Sequence, residues 1–246
     1  MMKYIFLSPH FDDVVFSCGG LIWELVRNGA QVQIWTICAA SPNENDMLSE
    51  FAQTLHRRWG FRLGLEANQR QKEDEQAAHV LGVERREFTL KDCIYRHSAE
   101  GLFYYSSEGS LFGEIHPAEA ELMNQLAEEF RKLVPARARM VSPLGVGHHV
   151  DHQLTRKAAE REGRKVWYYA DVPYVFREPS WRERYLPGLV VAQRIPISGE
   201  GLHYWVKAAA AYTSQVSSFW QDEIEMRSAF QQLIKEERGG SLWKVR

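Results

Sequence analysis

The chain is predicted to fold as an α/β protein: a Rossmann-like, mostly parallel sheet with helices on both faces, forming a single domain over residues 1–246. Three observations predict it. Short apolar runs alternate with longer segments of helical periodicity. The first unit reads strand, loop, helix, strand, which is how a βαβ-built sheet begins. The length of 246 residues and a 45% hydrophobic content suit one sizeable core.

The strands are read from Tyr4–Leu7, Val32–Ile37, Arg139–Ser142 and Val166–Tyr169, each short and apolar. The first helix follows Tyr4–Leu7: from Val15 to Asn28 apolar residues recur at Phe16, Leu21, Ile22, Leu25 and Val26, and Asn28-Gly29 supplies the stop. Cys18 with Gly19-Gly20 is read as a place of close helix packing. Residues 41–66 lack periodicity and are expected to be a loop with a short helix. Arg70–Leu81 forms the next helix, ending at Gly82. Residues 95–117 carry Tyr95, Phe103, Tyr104, Tyr105 and Phe112, and are expected to form a lid or wall over a pocket. Ala118–Leu133 is helical, with Leu122, Leu126, Phe130 and Leu133 on one stripe and Pro135 ending it. Asp151–Arg161 is a further helix, and the tail from Trp220 reads as a charged helix ending at Gly239-Gly240.

A formal net charge of −2 gives no bulk attraction to nucleic acid or anionic membrane. No run approaches the roughly 20 apolar residues that cross a bilayer, and the apolar start before Pro9 is shorter than the roughly 7–15 residues of a signal peptide core. Cys18, Cys38 and Cys93 are odd in number and widely spaced, so no disulfide framework or Cys-x-x-Cys zinc site is implied. A cytoplasmic, reducing setting is the expectation. Composition leaves a homo-oligomer open.

Two clusters carry the chemistry. Ser8-Pro9-His10-Phe11-Asp12-Asp13 directly follows the first apolar run, and His148-His149-Val150-Asp151-His152 follows the run at Arg139–Ser142. Unpaired burial of such groups costs roughly several kcal/mol per ion, and a metal ion would account for them together. Either cluster alone would read as a helix cap with a solvated turn; their joint position past strand ends points to a metal. Hydrolytic zinc takes three ligands of this kind with one open position. His10 and Asp13 can face one point across a strand-to-helix turn, leaving Asp12 beside the metal to take a proton from water. His149 and His152 lie one helical turn apart, so one can ligate while the other stabilises an oxyanion, with Asp151 fixing a histidine tautomer. Iron(II) suits the same donor set.

Pro9-His10-Phe11-Asp12-Asp13 paired with His149-Val150-Asp151-His152 resembles the PIG-L/LmbE-type N-deacetylase family. Weaker features agree in order: Arg70-Gln71-Lys72-Glu73 with Ala77-Ala78 and Leu81-Gly82, then Leu90-Lys91-Asp92, then Lys207, Ala210 and Tyr212-Thr213-Ser214-Gln215. The resemblance implies Zn2+ held by His10, Asp13 and His152, and Asp12 as general base. It implies His149 as the oxyanion-stabilising group with Asp151 orienting it, and Arg70 and Asp92 as ligands of sugar hydroxyls. It further implies removal of the N-acetyl group from an N-acetylglucosamine-type amino sugar or glycoconjugate. Two positions depart from the family pattern: Phe11 replaces a usual proline, and Val14 a frequent glutamate. Two other readings stand beside it. One is a metal-dependent amidase acting on another N-acyl group, such as a thiol conjugate. The other is a catalytically silent carbohydrate-binding homologue.

Overall fold

The computed structural model describes residues 1–42, 46–59 and 66–246. Its strands are β1 (Lys3–Ser8), β2 (Gln31–Thr36), β3 (Glu84–Glu87), β4 (Arg139–Pro143), β5 (Trp167–Tyr169), β6 (Leu189–Ile195) and β7 (Gly240–Val245). The longer helices are α1 (Asp13–Arg27), α2 (Glu50–Trp59), α3 (Glu66–Leu81), α5 (Ala120–Leu133), α6 (Val150–Arg161), α9 (Gly199–Ala209) and α11 (Glu223–Glu237). Single turns form α4 (Glu108–Leu111), α7 (Tyr174–Arg177), α8 (Trp181–Tyr185) and α10 (Thr213–Val216).

The strands make one sheet in the order β3-β2-β1-β4-β5-β7-β6. The five from β3 to β5 are parallel, and β7 pairs antiparallel with both β5 and β6. Tyr4, Ile5, Phe6 and Leu7 are all buried because β1 is central and covered on both faces, which explains its unbroken apolar run. From β1 the chain builds outward to β2 and β3, then returns to add β4 on the other side. That reversal opens a crevice at the carboxyl ends of β1 and β4, the place where open α/β sheets bind ligands.

Close packing at Gly19-Gly20 is seen directly. A Cβ on Gly19 would lie 2.4 Å from Trp205 Cδ1, and one on Gly20 2.8 Å from Trp205 Cε3. The Trp205 indole stacks on Phe230 at 4.0 Å and donates its N–H to the Val15 carbonyl. The two glycines thus let α9 seat a tryptophan on the backbone of α1.

Three strands escape the sequence reading. β3 reads Glu-Arg-Arg-Glu and lies at the sheet edge, where polar residues face water and no apolar run is needed. β6 is only half-buried along its length. The tail helix is present as α11, but after Arg238 and Gly239, both at positive φ, the chain turns back into β7. In the region expected as a loop with a short helix, α2 spans ten residues; residues 43–45 and 60–65 of it lie outside the described residues. The aromatic segment 95–117 forms a second small core: Ile94, Tyr105 and Leu111 pack with Ala52 and Val150, and Phe51, Leu55, Tyr95 and Tyr104 lean on it. Among the described residues no helix is long and apolar enough to cross a membrane.

Candidate metal centre and active site

Both motif segments meet at the crevice between β1 and β4. After β1 the Ser8 hydroxyl accepts from the Val14 N–H at 3.1 Å, doing the capping work that Asp12 at the N-cap leaves undone. The Asp13 carboxylate is thereby free to accept from the His10 backbone N–H at 2.8 Å and to face the His10 ring, Nδ1 to Oδ2 3.1 Å. After β4 the loop passes through Gly145, Gly147 and His148, all at positive φ. A Cβ on Gly147 would sit 2.4 Å from the Tyr174 ring, so only glycine fits that turn. The turn delivers His149 as the N-cap of α6, with His152 on the first turn behind it.

His10, Asp13 and His152 offer ligand atoms all within 4.8 Å of one another. Asp13 Oδ1 is 3.3 Å from His152 Nε2, and that buried nitrogen has no hydrogen-bond partner. Four-coordinate zinc with bonds of about 2.0–2.2 Å places neighbouring ligand atoms about 3.4 Å apart, and the two Asp13 oxygens approach His10 and His152 at 3.1 and 3.3 Å, spacings of that order. The surroundings favour a cation. Asp12, Asp13, Asp92, Asp151 and Asp171 bring more negative charge than the guanidiniums of Arg70 and Arg96 offset. Burial disfavours protonation of His152, yet Asp13 and Asp171 push it up to about 9. These residues fit a divalent metal.

His152 and His10 are each steadied from behind. Asp171 Oδ1 meets His152 Nδ1 at 2.7 Å, and its other oxygen accepts the backbone N–H groups of Gly145 and Val146 at 2.8 and 2.9 Å. Asp151 Oδ2 lies 3.1 Å from His10 Nε2 and accepts from the Cys93 N–H at 3.0 Å. Its Oδ1 stands 2.6 Å from Arg96 Nη1, a charge contact lacking hydrogen-bond alignment. Burial would raise the Asp151 carboxyl, but Arg96 together with His10 and His149 outweighs it and holds it well below the usual range. Arg96 is anchored in turn by Glu119, which also accepts from the Tyr105 hydroxyl at 2.6 Å.

Asp151 was expected to orient His149. Its carboxylate instead engages His10, and only its backbone N–H reaches His149, donating to Nδ1 at 3.2 Å. That bond places the His149 proton on Nε2, and burial drives its pKa down to about 3, so the ring is a neutral donor. Asp12 is buried beside the cluster and pushed up to about 6 by desolvation, with Arg70 opposing the rise. Arg70 contacts Asp12 Oδ1 at 3.4 Å, lies over the Phe11 ring, and keeps its Nε–H without a partner. Asp92 caps the turn at Cys93–Tyr95 by accepting from the Ile94 N–H, and its other oxygen is 3.4 Å from His10 Nε2.

Asp12, Asp13, His10, His149, Arg70 and Asp92 line one cavity of about 200 Å3, walled by Phe51, Leu55, Ile94, Leu111, Phe112 and Tyr174. The aromatic segment therefore contributes walls. Asp151, His152 and Asp171 stand behind the cavity lining and are fully buried or nearly so. A larger cleft of about 820 Å3 shares Arg177 and Phe219 with this cavity but none of the cluster residues.

The departures from the family pattern also have a place. Phe11 supplies the ring beneath Arg70, and its carbonyl lies 2.8 Å from the Tyr212 hydroxyl, which also meets Asp74 at 2.5 Å. Val14 faces the core. Glu73 accepts from the Thr213 hydroxyl and from the Ser214 N–H and hydroxyl at 2.6–2.9 Å, so the weaker motifs on α3 and around α10 bind each other. Asp171, Arg96 and Glu119 were not anticipated. Asp171 follows an apolar strand just as Asp12 does, but a single aspartate before Val172-Pro173 reads as a turn.

Fold and site together define an α/β protein with a buried group of two histidines and one aspartate able to hold a metal ion, and a second aspartate beside it. The chain belongs to the PIG-L family, described as GlcNAc-PI de-N-acetylase, which it matches over residues 5–161. It is 31% identical over 217 residues to a 2'-N-acetylparomamine deacetylase of Streptomyces fradiae, covering 80% of this chain and 68% of that one. It is 28% identical over 200 residues to one of Niallia circulans, covering 73% and 72%. The fold superposes with a TM-score of 0.82 on the zinc-inhibited form of the teicoplanin deacetylase Orf2, at 23% identity over 99% of this chain and 97% of that one.

Proposed function

We propose that this protein is a metal-dependent N-deacetylase, acting as one domain in the cytoplasm on an N-acetylglucosamine-type amino sugar carried on a larger molecule. The observation that carries the reading is the placement of Asp12 and His149 on one cavity with His10 and Asp13, and of His152 within reach of both just behind its lining. The relatives named as 2'-N-acetylparomamine deacetylases support it.

His10 through Nδ1, Asp13, and His152 through Nε2 would hold the metal, and zinc is the ion this donor set favours. When bound, the ion acts as a Lewis acid toward the acetyl carbonyl and makes water easier to deprotonate. Asp12 takes the proton of the attacking water as its oxygen bonds to the carbonyl carbon. His149 donates Nε2–H to the oxygen that gains charge. Collapse breaks the C–N bond, and Asp12 returns its proton to the departing amine, leaving acetate and the free amino sugar. Arg70 and Asp92 grip ring hydroxyls, Arg70 through donor capacity that Asp12 leaves unused.

Acetate release from N-acetylglucosaminyl conjugates tests this. It should stop with a strong chelator, return with zinc, and fall by about 10²–10⁴-fold in Asp12→Asn with metal content retained. Full activity of that variant would sink the mechanism. A second reading draws on the apolar walls Phe51, Leu55, Ile94, Leu111 and Phe112. They suit a longer acyl chain, and a preference for long-chain or non-sugar amides over acetamides would favour it.

A further inference from the structure

The catalytic cavity is smaller than the roughly 300–1,000 Å3 of ordinary ligand pockets, so it suits one sugar ring and its acetamide. The cleft of about 820 Å3 adjoins it: Arg177 and Phe219 line both. Its walls come from the α7–α8 segment, Phe219-Trp220 and α11. A conjugate whose acetamido sugar enters the catalytic cavity past Arg177 and Phe219 would lay its remaining part there.

Four charged side chains line the cleft, and three are engaged. Arg182 pairs with Glu236 at 3.2 Å and Glu237 at 2.5 Å. Glu236 also accepts from Gln232 at 2.9 Å, and Glu225 accepts from the Gln221 N–H at 2.6 Å. Arg177 has no carboxylate partner among the described residues; its guanidinium lies over the Phe219 ring, 5.7 Å from the centroid. Arg58 and Glu108, which also line the catalytic cavity, carry opposite charges. At the junction Arg177 is therefore an exposed planar cation resting on an aromatic face, with its donors unspent among the described residues.

We propose that Arg177 determines specificity by binding a carboxylate on the part of the substrate attached to the acetamido sugar, that part lying in the adjoining cleft. The substrate class is thus an acidic conjugate of an N-acetylated amino sugar, and a polycationic one is disfavoured. This rests on the deacetylase reading for the sugar's position, but not for the anion preference itself.

Two aryl glycosides of N-acetylglucosamine, one bearing a carboxylate and the other the matching carboxamide, provide the test. Calorimetric titration of zinc-loaded Asp12→Asn protein reads affinity without turnover. The carboxylate should bind about tenfold tighter, as a charge-assisted Arg pair warrants. Adding Arg177→Gln should abolish that difference, adding Arg177→Lys should keep part of it, and higher salt should narrow it. Equal affinity for the two conjugates, or an unchanged preference in the Arg177→Gln background, overturns the proposal. Acetate release by the wild-type protein is scored separately: its absence with tight carboxylate binding refutes the deacetylase reading and leaves the Arg177 assignment standing.

Discussion

Asp171 does for His152 what Asp151 does for His10, but the two carboxylates are compensated differently. Asp151 faces the guanidinium of Arg96, whereas Asp171 relies on His152 and two backbone N–H groups, and burial raises its pKa accordingly. A carboxylate behind a histidine ligand fixes the tautomer and strengthens the donor, so losing it commonly weakens metal binding by about 10–100-fold. Asp171→Asn should show that loss in competition against a chromophoric chelator. Asp151→Asn should show it too, because its carboxylate touches His10. If Asp151 acted only by orienting His149, turnover would fall while metal affinity stayed at the wild-type value. Retained affinity in either variant would therefore remove that residue from the support of the metal site.

The contact between α1 and α9 makes a separate prediction. A methyl on Gly19 would enter the space of a buried indole already fixed by Phe230 and by the Val15 carbonyl, so the tryptophan cannot swing away. Overpacking of this kind costs about 1–3 kcal/mol. Gly19→Ala should lower the melting temperature by about 2–12 °C, since 1 kcal/mol shifts a chain of this size by roughly 2–4 °C. An unchanged transition would mean that α1 and α9 can move apart freely. The elements also show which patterns were readable. Buried runs such as Tyr4–Leu7 and the stripe of α5 advertise themselves, because one periodicity or one apolar block accounts for them. β3 and β7 do not: one is polar at an edge, and the other follows a helix after a two-residue reversal.

Across the whole molecule, a metal held by His10, Asp13 and His152 would tie β1, β4 and β5 together, since His10, His152 and the Asp171 behind it stand past different strands. Binding to the folded state alone stabilises it by about 2.7 kcal/mol when the free ion is at 100 times its Kd. Stripping the metal should lower the melting temperature by about 5–10 °C, and zinc should restore it. A melting temperature indifferent to zinc would argue against any ion at this centre.

The sequence by itself determined the parallel core, the family, and the residue types that chemistry requires, because those signals are local: apolar blocks, a strand ending in ionisable groups, one-turn histidine spacing. Tertiary structure decided the partners. It turned Asp151 toward His10, brought Asp171 to His152 and Arg96 to Asp151 from distant segments, closed α3 onto the Tyr212-Thr213-Ser214 turn, and set Arg177 between two cavities. The reason is physical. What a buried charge does depends on which other charges share its low-dielectric surroundings, and those neighbours are assembled only when the sheet forms.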